Sequence, residues 1–327
     1  MKFVSSLLIC FFVISCTQQN RPKIQFYHWK SNVDFNDTEV LLFKNLHSDK
    51  LYLRLFDVDT KNGIVEPIGA INKFDSQTLS ADYIPVIFIT NRTFTNTTPN
   101  EIAILAEHVS ILISRITSDT KIFNFEEIQI DCDWTATTKE KYFLFLETLK
   151  KITNKNITCT LRLHQVKFKK TTGIPPVKKV YLMCYATSNP IQNNGENSIL
   201  DLDLLKDYLQ KINDYPISFD IALPIYSWAI VTNHLGKSKL INAVTQSDLS
   251  TINFKKENNN NFTAIDDTFL RGFYVNKGFT IKVETISPEL LNETKAFLKS
   301  KINQPYDIVY YHLDSIFTNR YSLKDLQ

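Results

Sequence analysis

EIQIDCDWT, residues 127–135, alternates apolar and polar side chains at almost every step. Successive side chains of a β-strand point to opposite faces. Ile128, Ile130, Cys132 and Trp134 therefore share one face, and Gln129, Asp131 and Asp133 the other. ITCTLRLHQ, residues 157–165, repeats the pattern with Cys159, Leu161 and Leu163 on one face and Thr158, Thr160, Arg162 and His164 on the other. Two such strands put aliphatic groups toward a layer of helices and polar groups toward a common axis. Ions on that axis need partners, because an unpaired buried charge costs several kcal/mol or is neutralised. Arg162 is the expected partner of Asp131.

Outward from these strands the same reading yields eight strand-like runs, at residues 24–28, 51–56, 84–89, 128–133, 157–164, 180–185, 217–223 and 308–312. Helical patterns lie between them. Thr98-Pro99-Asn100-Glu101 is a capping box with proline at the first helical position, followed by Ile102, Leu105, Ala106, Val109 and Ile113 at helical spacing. Thr137-Thr138-Lys139-Glu140, residues 201–212 and Ser287-Pro288-Glu289 open or carry three more. Strands alternating with helices predict a parallel sheet, and eight of them predict closure into an α/β (β/α)8 TIM barrel. The alternative, an open doubly wound sheet, favours a glycine-rich nucleotide turn, whereas the chain has 7 glycines and no GxGxxG. Residues 236–286 break the rhythm with short alternating runs and read as a small β-rich insertion between the seventh strand and its helix.

Barrels of this kind carry their chemistry at the C-terminal ends of the strands. Alternation sends Asp220 inward beside Ser218, and Arg54 inward with Phe56 opposite Leu51, Leu53 and Leu55. Asp133, His164, Tyr185 and Asp220 are expected near the ends of the fourth to seventh strands, with Asp57 and Asp59 after the second. Trp228 follows the seventh strand and offers a large apolar face there, and Trp29 ends the first and is expected to line the same mouth; the alternative for Trp228 is packing under the insertion. Trp134 faces the helices and reads as core.

Composition narrows the remaining choices. Hydrophobic residues at 43% and charged residues at 22% are those of a globular chain, and a net charge of +3 from scattered Lys and Arg shows no clustered basic face for nucleic acid. The six histidines form no HxH or HExxH, so no metal and no cofactor are expected. Cys132, Cys159 and Cys184 each lie within an apolar strand pattern and read as buried free thiols. The chain opens MKFVSSLLICFFVISC, whose apolar run is too short to span a bilayer, about 20 residues being needed. It reads as a signal peptide over residues 1–15, and Val13-Ile14-Ser15-Cys16 resembles the lipobox of bacterial lipoproteins. That resemblance implies lipidation of Cys16, a tether over residues 16–23, the barrel over 24–327, and a location in the bacterial cell envelope, anchored to a membrane.

QIDCDWT, LRLHQ, LMCYA and DIALPIYSW together resemble a family of uncharacterised bacterial exported proteins similar to glycosidase-type TIM barrels. More distantly, Asp131 and Asp133 fall on the DxxDxDxE pattern of chitinase-like glycosidases. In those enzymes the final Glu protonates the leaving oxygen; Thr135 stands in its place here, and Ala186 replaces the Asp of their M-x-Y-D pattern at Met183 and Tyr185. The resemblance implies a glycan as ligand or substrate. A hydrolase would use Asp133 as acid and Asp220 as its partner, with Asp131 kept charged by Arg162 and with Arg162, His164, Tyr185, Trp228, Trp29 and Asp57 as binding groups. The alternative is a lipoprotein that binds glycans or a protein partner without catalysis.

Overall fold

The computed structural model describes residues 21–75, 79–122, 125–192 and 195–327. The expected signal peptide and the expected lipidation site, Cys16, lie outside the described residues. Eight parallel strands close into a barrel: β1 (Ile24–His28), β2 (Lys50–Lys61), β3 (Asp82–Ile89), β4 (Glu127–Asp131), β5 (Asn156–Arg162), β6 (Lys179–Met183), β7 (Ser218–Pro224) and β8 (Ile308–Tyr311). Each pairs with its sequence neighbour, β7 with β8 across the insertion that separates them in the chain, and β1 pairs with both β2 and β8 to close the ring. This is the expected TIM barrel.

Helices cover the outside. Those of five residues or more are α1 (Asp37–Asn45), α2 (Pro99–Asp119), α3 (Lys139–Thr153), α4 (Leu163–Lys167), α5 (Leu202–Tyr208) and α6 (Pro288–Lys301). The capping box at α2 forms as read, Glu101 accepting from the Thr98 backbone N–H at 2.6 Å. The helix α1 escaped the sequence reading, although Asn36 and Glu39 build the same reciprocal cap. Among the described residues no helix follows β2; an antiparallel strand, Ile64–Ile68, folds back on it instead. A groove of about 380 Å³ lies between that hairpin and α2, on the outer face of the barrel.

The outward faces of the strands and the inward faces of the helices form one apolar core, with Trp134 stacked on Tyr142 at 5.1 Å and its indole N–H donated to Thr172 O. Cys132, Cys159 and Cys184 are buried free thiols, as alternation requires. Inside the barrel the filling is aromatic and polar. Tyr52 and Tyr181 share a hydroxyl hydrogen bond at 2.7 Å, Tyr181 also donates to Glu127, and Tyr27 donates to Gln129 at 2.9 Å. Large phenol rings thus fill the lower barrel while every one of these hydroxyls finds a partner, as burial of polar groups demands.

Two parities changed. A bulge between Arg54 and Phe56 inserts an extra residue into β2. Phe56 therefore joins the outer core with Leu51, Leu53 and Leu55 instead of sharing the Arg54 face, and Asp57 turns inward beside Arg54. The β5 strand ends at Arg162, and Leu163 starts α4, so His164 stands exposed on a helix instead of on the barrel axis.

The insertion starts earlier than expected, at Ser227. Ser227–Thr232, Ser238–Asn242, Thr280–Thr285, Asn261–Ala264 and Phe254–Lys256 form a five-stranded antiparallel sheet, with a hairpin of Thr268–Leu270 and Phe273–Val275 beside it. One face of this sheet, including Ala229, Val231, Ile281 and Val283, makes the insertion's own core. The other carries Trp228, Ile230, Lys282 and Glu284.

Candidate active site at the barrel mouth

The mouth is built from the residues just beyond the strands. Asp131 ends β4 on its inward face, almost wholly buried, and accepts a hydrogen bond from Thr160 Oγ1 of β5 at 2.7 Å. Burial, then the charge of Asp133, pushes its carboxyl up to about 6, against the pull of Arg162 and the Thr160 hydrogen bond. Two residues on, Asp133 is half exposed and locked by Arg162 in a bidentate ion pair, with Nη2 to Oδ2 at 2.7 Å. Arg162 therefore closes on Asp133, not on Asp131 as expected: Asp131 lies one inward step deeper, level with Thr160, whereas Arg162 stands level with the strand end. The expected division of labour changes with it. Asp131 is the carboxyl held partly protonated near neutrality, and Asp133 is the one paired by a guanidinium.

Thr135, in the position of the chitinase-like acid, spends its side chain locally, 2.9 Å from Thr137 Oγ1 and 3.2 Å from Thr138 Oγ1. His164 sits near the Asp133–Arg162 pair on α4; burial, against the charge of Asp133, lowers the pKa of its ring. Opposite, the β2 bulge aims Arg54 at Asp57, with contacts of 2.6 and 2.7 Å, and Arg54 Nη1 reaches the Trp29 carbonyl at 3.1 Å. Gly69, at φ +60°, backs onto this guanidinium; a Cβ there would collide with Arg54 Nη2. Asp59 is inside β2 and is paired with Arg92, which holds its carboxyl well below the usual range.

Aromatic rings make the walls. Trp29 lies 5.5 Å from Tyr311, Tyr311 lies 5.6 Å from Tyr226, and Tyr226 lies 5.4 Å from Trp228, all between ring centroids. Tyr185 packs against Tyr226 and Tyr311, and its hydroxyl is buried with no hydrogen-bond partner. Asp131, Asp133, Arg162, Tyr185, Trp29, Asp57 and Trp228 thus gather around the mouth, with His164 on its rim.

Asp220 does not. It points inward as alternation required, but its carboxylate is tied to Lys179, the first residue of β6, and to the Asp307 backbone N–H at 2.9 Å, just before β8. Register pairs it with Tyr181, so it lies at the N-terminal end of the barrel, away from Asp133. Side-chain alternation fixes a face and leaves depth along the axis open, which is why the expected partnership fails. Sequence reasoning also missed Glu284, Tyr226 and Tyr311. The last two end or follow barrel strands in PIYSW and VYYH, a signal that position alone carries. Among the described residues no group of three or more His, Cys, Asp or Glu side chains is arranged to hold a metal.

No protein-family model matches the chain and no curated protein matches it by sequence, so the exported-protein family is not shown. Solved structures share the fold at low identity. The spore cortex-lytic enzyme SleL of Bacillus cereus superposes with a TM-score of 0.56 at 14% identity, over 93% of this chain and 73% of that one. A chitinase from Chromobacterium violaceum gives 0.55 at 11% identity, over 94% and 99%. A class V chitinase from Nicotiana tobaccum gives 0.53 at 10%, over 93% and 97%. The chain is similar in fold to chitinases and cortex-lytic enzymes.

Proposed function

We propose that this barrel binds a glycan across its mouth and does not hydrolyse it. The observation that carries the reading is the aromatic wall from Trp29 through Tyr311 and Tyr226 to Trp228, around a locked Asp133–Arg162 pair, with Thr135 where a proton donor is required. Sugar rings stack on such faces. The fold likeness to chitinases, one of them solved with NAG4, points to N-acetylglucosamine oligomers as the glycan class. A threonine hydroxyl cannot supply the proton that departure of a glycosidic oxygen needs, and neither neighbouring carboxyl stands opposite Asp220 in the paired geometry of a two-carboxylate mechanism.

The test is titration calorimetry of NAG4 into the detergent-solubilised full chain, with reducing ends assayed after prolonged incubation. Saturable binding without new reducing ends is the expected outcome; absence of binding sinks the glycan reading. One observation favours a second reading, a hydrolase. A carboxyl held at about 6, as on Asp131, is poised to carry a proton at neutral pH. Turnover of NAG4 with an inflection near pH 6, abolished in Asp131→Asn, would establish it. The lipobox-like Val13-Ile14-Ser15-Cys16 supports the further proposal that Cys16 anchors this domain to a membrane of the cell envelope.

A further inference from the structure

Glu284 is buried in the face of the insertion sheet that meets the barrel, 2% exposed. It stands directly across the antiparallel pair from Trp228, and Lys282 stands across from Ile230 on the same face. Two hydrogen-bond donors and one cation converge on its carboxylate. Trp228 Nε1 donates to Oε2 at 2.8 Å, Ser198 Oγ donates to the same oxygen, and Lys282 Nζ lies 2.8 Å from Oε1. Ser198 belongs to the loop after β6, which is further tied to this strand by Asn197 Nδ2 donating to Thr285 O at 2.8 Å and by Lys282 donating to Glu196 O.

A buried carboxylate with a lysine partner is seldom cheaper than apolar packing of the same volume. What a leucine cannot do at this place is hold an indole N–H in a fixed direction while gripping the neighbouring loop. The ring so held is the outermost member of the aromatic wall, 5.4 Å from Tyr226. We infer that Glu284 is a positioning residue: it fixes the indole of Trp228 against Tyr226 and so makes the insertion one wall of the glycan-binding mouth. The inference rests on the glycan reading for its ligand, and on geometry alone for the orientation of the ring.

Two measurements separate these dependences. The first is acrylamide quenching of tryptophan emission without ligand. Glu284→Ala should raise the accessibility of the emission, Glu284→Gln, which keeps an acceptor for the indole N–H, should leave it near wild type, and in a Trp228→Phe background Glu284→Ala should change nothing. The second is NAG4 affinity. Glu284→Ala should weaken it about tenfold, Glu284→Gln less than about threefold, and the Trp228→Ala/Glu284→Ala double variant should bind no more weakly than Trp228→Ala, because both changes remove the same contact. Unchanged quenching in Glu284→Ala, an effect of Glu284→Gln as large as that of Glu284→Ala, or additive losses in the double variant would each overturn the inference. If the wild-type protein fails to bind NAG4, the glycan reading falls, and the quenching measurement still decides whether Glu284 positions Trp228.

Discussion

Asp131→Asn tests the electrostatics of the mouth most directly. The carboxyl is nearly fully buried, and its folded-state pKa is raised from 3.8 to about 6, first by burial and then by the Asp133 charge. A raised carboxyl pKa means that the folded state favours the protonated form. Its stabilising contribution is present below about pH 4 and is lost as pH climbs through about 6. With about 1.36 kcal/mol per unit, the ionised group costs the fold about 3 kcal/mol at pH 7.5. Asparagine is nearly isosteric with the neutral acid and keeps an oxygen to accept from Thr160 Oγ1. Urea unfolding of wild type and variant at pH 4, 5, 6 and 7.5 should therefore show nearly equal stability at pH 4 and a variant more stable by about 2–3 kcal/mol at pH 7.5. Taking the difference between the two proteins cancels the titrating groups that do not interact with Asp131. A difference that stays flat from pH 4 to 7.5, or a variant destabilised throughout, would refute the assignment of Asp131 as a buried carboxyl whose ionised form is disfavoured in the fold.

Arg162→Ala removes the cation that opposes this shift, so the pH at which the stability gap to an Asp131→Asn partner in that background stops widening should move above about 6, read by the same unfolding series. His312 is buried with its Nδ1 unpartnered, and burial followed by the neighbouring His28 lowers its pKa to about 3. A lowered histidine pKa gives stability that is full above about 6.5 and is lost as pH falls toward 3; His312→Gln should flatten the acid limb of the thermal midpoint against pH, and an unchanged limb would exclude it. Burial pushes the thiols of Cys132, Cys159 and Cys184 up, Cys159 to about 12, so all three should resist a thiol reagent at pH 8 in the native state and react together on unfolding. Cys16→Ala should shift the protein from the membrane pellet to the soluble fraction, and continued retention in the pellet would contradict the anchor.

The parity of β4 and β5 was legible because alternation is a local property: Ile130 and Cys132 had to face helices once Asp131 and Asp133 faced the axis, and they do. Parity failed where the backbone departs from a regular strand. Nothing in LYLRLFDVD marks Leu55 as the extra residue, so the expected face of Phe56 is one step out of phase. His164 failed for the same reason at the other end of β5, where Gln165 caps a helix by accepting from the Arg162 backbone N–H at 2.8 Å and the strand stops early. Helix caps were readable wherever the residues doing the capping were adjacent in sequence, as at Thr98 and Glu101.

Depth is a different kind of quantity. It depends on the stagger of one strand against the next, which closure of the whole barrel sets. Asp131 and Asp220 both point inward, yet Asp131 meets Thr160 near the top of β5 while Asp220 meets Lys179 at the foot of β6. One stays within reach of the mouth, and the other neutralises a lysine at the far end. The same reasoning explains Glu284. Its strand lies far along the chain from the residues it serves, and only the pairing of Trp228 with Glu284 brings a carboxylate to the indole that the barrel mouth presents. In a closed barrel, which groups can act together is therefore decided by register across strands more than by the pattern within any one of them.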